Sequence, residues 1–320
     1  MRRVKRVFTP IVLALGTATF LYLLWTFGPA RVWGQLRAFG WGFALLLPFQ
    51  ILDHMLNAYA WRLAFPPAAA GRADFWDLVR IRIAGDGVNY LTPSGNIAGA
   101  FVRPGMLRCD LPSEVKIASV FLAKVTQAVG QAFFVILGLG YILMGRLYVF
   151  HGGQAAVGAA AMLAILAAVA FGVWVFASEP PEWVRRRIPE AVEKGAPVRV
   201  LLRHSLARHP VRLAGSTLFF MLGYGWGACE IWLIARLMGM PLNWETCLSI
   251  EFLSNLVDAM AFMVPAKIGT QEGGKAVIFK GLGLAPHLGF TLGIIRHVRE
   301  VCWAGLGLAF YASHQKRHAS

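Results

Sequence analysis

Several polar residues stand inside stretches of this chain that are otherwise apolar, and their types suit the capture of a charged or polar group. Glu251, Asn255 and Asp258 follow one another at i, i+4 and i+7, which puts them on one face of a helix. Lys267, Glu272 and Lys275 come shortly after. Lys124, Gln127 and Gln131 form a second stripe, at i, i+3 and i+7, and Arg296, Arg299 and Glu300 a third group. An ionisable side chain in a bilayer costs about 2.5–3.5 kcal/mol on insertion scales, so such groups pair, meet water or mark a site. Arg296 and Glu300, at i and i+4, are expected to pair, leaving Arg299 for a lipid phosphate or for an acid such as Glu272. The expected chemistry is that bases, among them Lys275, Arg299 and Lys124, receive an anionic or polar headgroup. Glu272, Glu251 and Asp258 would neutralise these bases when the site is empty, or exchange protons. A self-neutralised structural network is the alternative, and for any one of these residues both stay open. Asp53, His54 and Glu230 fit interhelical hydrogen bonding as well as a site.

Covalent chemistry finds less support. There is no H-E-x-x-H pair, no G-x-S-x-G elbow, no P-loop and no paired aspartates of a prenyl-transferase magnesium site. His204 and His209 are five apart in a basic stretch, off the spacing that places two ligands on one helical face. Cys109, Cys229, Cys247 and Cys302 are isolated, without zinc or redox spacing. The expectation is no enzyme, no metal and no cofactor.

The elements that must position these residues are helices in a bilayer. The 320 residues are 57% hydrophobic and only 15% charged, far from the balance of a soluble domain. A hydrocarbon core about 30 Å thick needs roughly 20 apolar residues, and six runs qualify: 8–27, 41–60, 114–144, 155–177, 210–238 and 286–313. No alternating strand pattern with regular turns occurs, so a barrel is not expected. The polar connection 178–209 is too short for an ordinary catalytic domain. The opening "MRRVKR" leads into an apolar run too long for a signal peptide, and an uncleaved first helix is expected.

Arg2, Arg3, Lys5 and Arg6, the basic loop 178–209, and Lys316 and Arg317 all point to the cytoplasm. The connections Gly28–Gly40 and Gly145–Gln154 are less basic and fall on the other side. Six crossings with both termini inside satisfy this count. The net charge of +15 then reads as a topology signal with attraction to anionic lipid. Nucleic acid is not expected, because the basic residues lie in short loops and form no single groove.

Two stretches are left. From Leu78 to Leu107 the chain breaks at "LTPSGN" between flanks, Arg72 to Arg82 and Arg103 to Arg108, that are both basic. From Trp244 to Leu284 it breaks at "VPAKIGTQEGG". Each is expected to enter and leave the membrane by one face, as a re-entrant hairpin of two half-helices. An interfacial loop after a surface helix "RADFWDLVRIR" is the alternative for the first. Pro93 precedes Gly95 and Gly99, and Pro265 precedes Gly269 and Gly273, so the glycine pairs share a spacing of four. Two crossings, a hairpin and one crossing would make each half, 8–144 and 155–313. Three crossings per half inverts the second copy, and inverted repeats with broken helices point to a central transport site.

At these residues the chain resembles a known family. "N-x-L-x-P-x-G…G-x-x-x-R", at Asn89, Leu91, Pro93, Gly95, Gly99 and Arg103, is similar to the first motif of the flippase-like membrane region of lysylphosphatidylglycerol synthases. "FMVPAKIGTQEGG" and "IIRHVRE" look like the subgroup associated with hopanoid biosynthesis. Ala100 departs from the first motif, at a place often acidic in relatives. The resemblance implies lipid handling: transfer of a polar lipid, phospholipid or hopanoid, between leaflets of a bacterial inner membrane. The aminoacyl-transferase region of such synthases has no expected counterpart here, so synthase activity is not carried over. A proton-coupled carrier of a small solute, using Asp258 or Glu272, and a non-transporting partner of lipid-synthesis enzymes are the alternatives.

Overall fold

A computed structural model describes residues 17–92, 98–142, 178–187, 189–260 and 264–319, with isolated positions between 160 and 174. The described residues are helical and contain no strand, and the chain is an all-α integral membrane protein. Helices α1 (Thr17–Phe27), α2 (Pro29–Phe39), α3 (Gly42–Phe49), α4 (Ile51–Ala64) and the short α5 (Pro67–Ala70) come first. Then follow α6 (Phe75–Leu91), α7 (Ala98–Met106) and α8 (Ser113–Tyr141). Beyond residue 178 lie α9 (Glu182–Arg187), α10 (Pro189–Arg208), α11 (Pro210–Leu237), α12 (Trp244–Met260), α13 (Thr270–Gly281) and α14 (Pro286–Ala319).

Among the described residues two helices, α8 and α11, are long and apolar enough to cross a bilayer outright. Their outward faces, with Phe133, Leu137, Val211, Leu218 and Leu222, are apolar and exposed, as a lipid-facing wall requires. The expected straight crossing 41–60 is instead α3 and α4, and it is preceded by a helix, α2, where a connection at Gly28–Gly40 was expected. The α2 axis meets that of Gly42–Ala64 at 71°. Gly40, at φ 25° and ψ −98°, makes the corner. Pro48 then removes one backbone donor, and the helix resets at Gln50. The expected loop 178–209 is also largely helical, and α10 packs on α8 with Leu202 and Ser205 buried. Most of the run 155–177 lies outside the described residues.

Both expected breaks separate pairs of helices that pack on one another, α6 on α7 and α12 on α13. The surface-helix alternative for the first does not hold: Leu78, Ile81, Arg82, Ala84 and Asn89 of α6 are buried. Arg82 and Arg103, placed by the sequence in cytoplasmic flanks, are inside the molecule, 6% and 2% exposed. Helix α6 lies along α14, and α12 lies against α8, so the first arm of each hairpin rests on a long helix. The α6–α14 crossing is close because a Cβ on Gly307 would sit 2.2 Å from the Ile83 carbonyl oxygen. Helix α4 packs on α11, where the Ser216 hydroxyl donates to the Ala60 carbonyl at 2.8 Å and meets the Thr126 hydroxyl of α8 at 2.8 Å.

Candidate functional site

The turn between α12 and α13 is built against ordinary backbone preference. Ala266 and Lys267 both adopt positive φ, 51° and 54°, followed by Gly269 at 77°. Two consecutive non-glycine residues there cost about 1–3 kcal/mol each, which surrounding contacts must offset. Those contacts are visible. Lys267 Nζ pairs with Asp258 Oδ2 at 2.7 Å, tying the turn to α12. The Gly269 N–H donates to Glu272 Oε2 at 2.9 Å, capping α13 with its own acid. His297 Nδ1 of α14 stands 2.7 Å from the other oxygen of Glu272. Of the second-break residues, Gly273 places an imagined Cβ 3.2 Å from a Leu23 methyl, and for Pro265 only the backbone is described.

The first break is secured differently. The Gly99 N–H donates to Asn89 Oδ1 at 2.7 Å, so α6 caps the start of α7. Arg103 Nη2 of α7 meets Asp86 Oδ1 at 2.7 Å, and Arg82 Nε holds the other oxygen of Asp86 at 3.1 Å. Pro93 and Gly95 lie outside the described residues.

Behind these turns is a buried ionic network. Arg296 reaches Glu251 at 2.7 Å and Glu230 at 3.0 Å. Arg299 reaches Glu230 at 2.6 Å, the Gln50 side-chain oxygen at 2.5 Å and Glu300 at 3.2 Å. The Asn255 amide donates to Glu251 and the Gln271 amide to Glu300. Glu230 is 1% exposed, so this charge is tolerated only because two guanidinium groups flank it. Two expectations fall here. Arg296 does not pair with Glu300 along its own helix, because Glu251 and Glu230 on α12 and α11 present carboxylates closer and across the bundle. Arg299 does not meet Glu272, whose two oxygens already serve Gly269 and His297.

Two adjoining cavities open in front of the network. One, of about 280 Å³, is lined among others by Gln50, Asp53, His54, Arg82, Asp86, Arg299 and Glu300. The other, of about 420 Å³, is lined among others by Thr92, Gln131, Tyr224, Asn255, Asp258 and Val264. Asn89, Tyr90, Lys124, Gln127 and Lys267 line both, which places them at the junction. Lys267 is neutralised by Asp258. Lys124 forms neither a hydrogen bond nor an ion pair among the described residues, so it is a basic group without a counter-ion at the junction. The ring nitrogens of buried His54 and the Tyr90 hydroxyl also have no hydrogen-bond partner among the described residues.

Of the residues singled out in the sequence, Lys124, Gln127, Gln131, Asn89, Asn255, Asp258, Lys267, Arg299 and Glu300 meet at these cavities. Glu251, Glu272, Lys275, Arg296 and Arg103 do not line them. Lys275 is 3% exposed and makes no ion pair among the described residues. The sequence reading missed Arg82, Asp86, Gln50, Tyr90 and Trp303. Arg82, Asp86 and Asn89 fall at i, i+4 and i+7 on one face of α6, the same signal as Glu251, Asn255 and Asp258 on α12. It went unread because Arg82 also fits a basic flank. No group of three histidine, cysteine or acidic side chains positioned for a metal occurs among the described residues.

The family described as the lysylphosphatidylglycerol synthase TM region matches residues 10–307, and the chain belongs to it. That membership makes it a membrane protein of lipid synthesis or transport. No curated protein and no solved structure matches the chain.

Proposed function

We propose that this member of the lysylphosphatidylglycerol synthase TM region family is a lipid translocase of the bacterial inner membrane, moving a polar lipid headgroup through its central cavities. The observation that carries the reading is the unpaired Lys124 at the junction of two polar cavities, inside a helical body whose outer wall is apolar. A headgroup with negative charge would find an unsatisfied partner there, while its tail stays in lipid. The ionic network of Glu230, Glu251, Arg296 and Arg299 is the scaffold behind the site and holds its helices in register. In this reading the protein forms and breaks no covalent bond. The ligand is membrane lipid, a hopanoid or a phospholipid, and enzymes that make that lipid are its expected neighbours.

Alternation of access follows from the two hairpins if they enter from opposite faces, with both termini in the cytoplasm and halves 8–144 and 155–313 related by inversion. The reciprocal packing of α6 on α14 and α12 on α8 supports this arrangement. The experiment is transbilayer movement of labelled phospholipid and hopanoid in vesicles containing only this protein. Movement faster than in protein-free vesicles is expected, and Lys124→Gln is expected to slow it roughly tenfold, as loss of a charge-assisted contact of about 1.5–3 kcal/mol implies. Movement no faster than in protein-free vesicles for every lipid would sink the proposal.

A further inference from the structure

The larger cavity has walls of a particular kind. Apart from the neutralised pair Lys267 and Asp258, its polar lining consists of Lys124, a threonine, carboxamides and two phenols. The groups divide between donors and acceptors. Asn89 spends its oxygen on the Gly99 N–H and keeps its NH2 to give. Asn255 spends its NH2 on Glu251 and keeps its oxygen to receive. Gln131 has neither end engaged among the described residues, and the Tyr90 hydroxyl is unpartnered. Vicinal hydroxyls, each at once donor and acceptor, match such a wall, and carboxamides satisfy them without introducing charge. Tyr90 and Tyr224 add ring surface for the C–H face of a saturated ring. Among the described lining residues the base without a counter-ion, Lys124, is at one end. A headgroup carrying an amine would meet that ammonium while the cavity's acid, Asp258, is held by Lys267. The volume of about 420 Å³ lies in the roughly 300–1,000 Å³ range of small-ligand sites.

We propose that this cavity binds a polyhydroxylated ring joined to an anion, the ring among Asn89, Gln127, Gln131 and Asn255 and the anion at Lys124. The inference rests on the translocase reading for its source, an anionic glycolipid or ring-bearing phospholipid. A free sugar phosphate shares the same chemistry.

The test loads the purified full chain from phosphatidylcholine vesicles carrying equal amounts of three probes. Phosphatidylinositol has ring and phosphate, phosphatidic acid has phosphate without ring, and monoglucosyl diacylglycerol has ring without anion. Lipid retained through gel filtration in mild detergent is quantified by mass spectrometry. Phosphatidylinositol is expected to be enriched about fivefold or more over each of the others, the worth of one or two hydrogen bonds. Lys124→Gln should remove the preference over monoglucosyl diacylglycerol, and Gln131→Leu that over phosphatidic acid. Lys124→Arg should keep both, and elution of each variant at the wild-type position guards against misfolding. Equal retention of the three lipids by the wild type, with no uptake of glucose 1-phosphate, overturns the proposal, whatever lipid the protein moves. Enrichment of phosphatidylinositol without transbilayer movement of any lipid upholds this ligand and overturns the translocase reading. Glucose 1-phosphate at millimolar concentration should displace phosphatidylinositol. Its uptake into vesicles, with no lipid enriched, upholds the ring and anion and overturns the lipid source.

Discussion

The two hairpins share a plan and differ in what holds them shut. The first, α6 and α7, is closed by its own side chains: Asp86 to Arg103 at 2.7 Å and Asn89 to the Gly99 N–H at 2.7 Å. The second, α12 and α13, leans on α14 as well. Arg296 clasps Glu251 of α12, and His297 stands against Glu272 at the start of α13. A Cβ on Gly293 would sit 2.7 Å from the Glu272 Cα, so α14 also presses on the backbone of α13. Side chains of the first hairpin thus tie its two arms to each other, and those of the second also tie its arms to a neighbouring helix. Both hairpins pack on α14, the first through α6 and the second through α13.

The largest effect should come from α14. Arg296→Ala leaves Glu251 in the interior without an ion-pair partner among the described residues and leaves Glu230 to Arg299 alone, and loss of one partner of a buried pair costs about 3–5 kcal/mol. The folded yield in detergent should collapse, and hydrogen exchange in whatever remains folded should rise in α12 and α13 before α6 and α7. Equal exchange in both hairpins would erase the distinction.

Asp86→Asn tests the first hairpin on its own terms. It leaves Arg82 and Arg103 facing one another without a carboxylate, but Asp86 is 35% exposed, so solvent softens the loss to about 2–3 kcal/mol. Faster exchange confined to α6 and α7 is the expected readout. Spread of the change to α13 would show that the Asp86 ties are not confined to the first hairpin.

The glycines sharpen the contrast further. Gly99 and Gly273 occupy matching places in the two sequence motifs, yet a Cβ on Gly99 would sit 2.1 Å from the Gly85 carbonyl oxygen, fixed backbone of its own hairpin. Gly99→Ala must push α7 off α6, at about 1–3 kcal/mol, read as a lower melting temperature. Gly273→Ala meets only the end of the Leu23 side chain at 3.2 Å and should shift stability by less than about 0.5 kcal/mol. Similar losses in both variants would make the glycine pairs equivalent after all.

These particulars also show how far the sequence can be read. The second break was legible because Pro265 and Gly269 act on the backbone where they stand, and helical spacing placed Glu251, Asn255 and Asp258 on one face before any fold was known. The corner at Gly40 was not legible. Residues 29–39 mix Trp33 and Leu36 with Arg31 and Arg37, a pattern that serves a connection as well as a helix. Arg82 was misplaced for a related reason: an arginine beside other basic residues looks like a flank until a carboxylate on the next turn, Asp86, is seen to draw it inward.

By itself the sequence determined the solvent, the helical class, the family and the two places where helices break, since composition, periodicity and local backbone chemistry need no partner. Which charges meet was decided only by tertiary structure. Arg296 had an acid one turn along its own helix, yet it binds Glu251 and Glu230 on other helices at 2.7 and 3.0 Å, because packing brought those carboxylates into closer reach. The same packing gave Lys267 to Asp258 and His297 to Glu272 and left Lys124 without an ion pair among the described residues. An unpaired charge is a property of everything around it, and no stretch of chain carries that information alone.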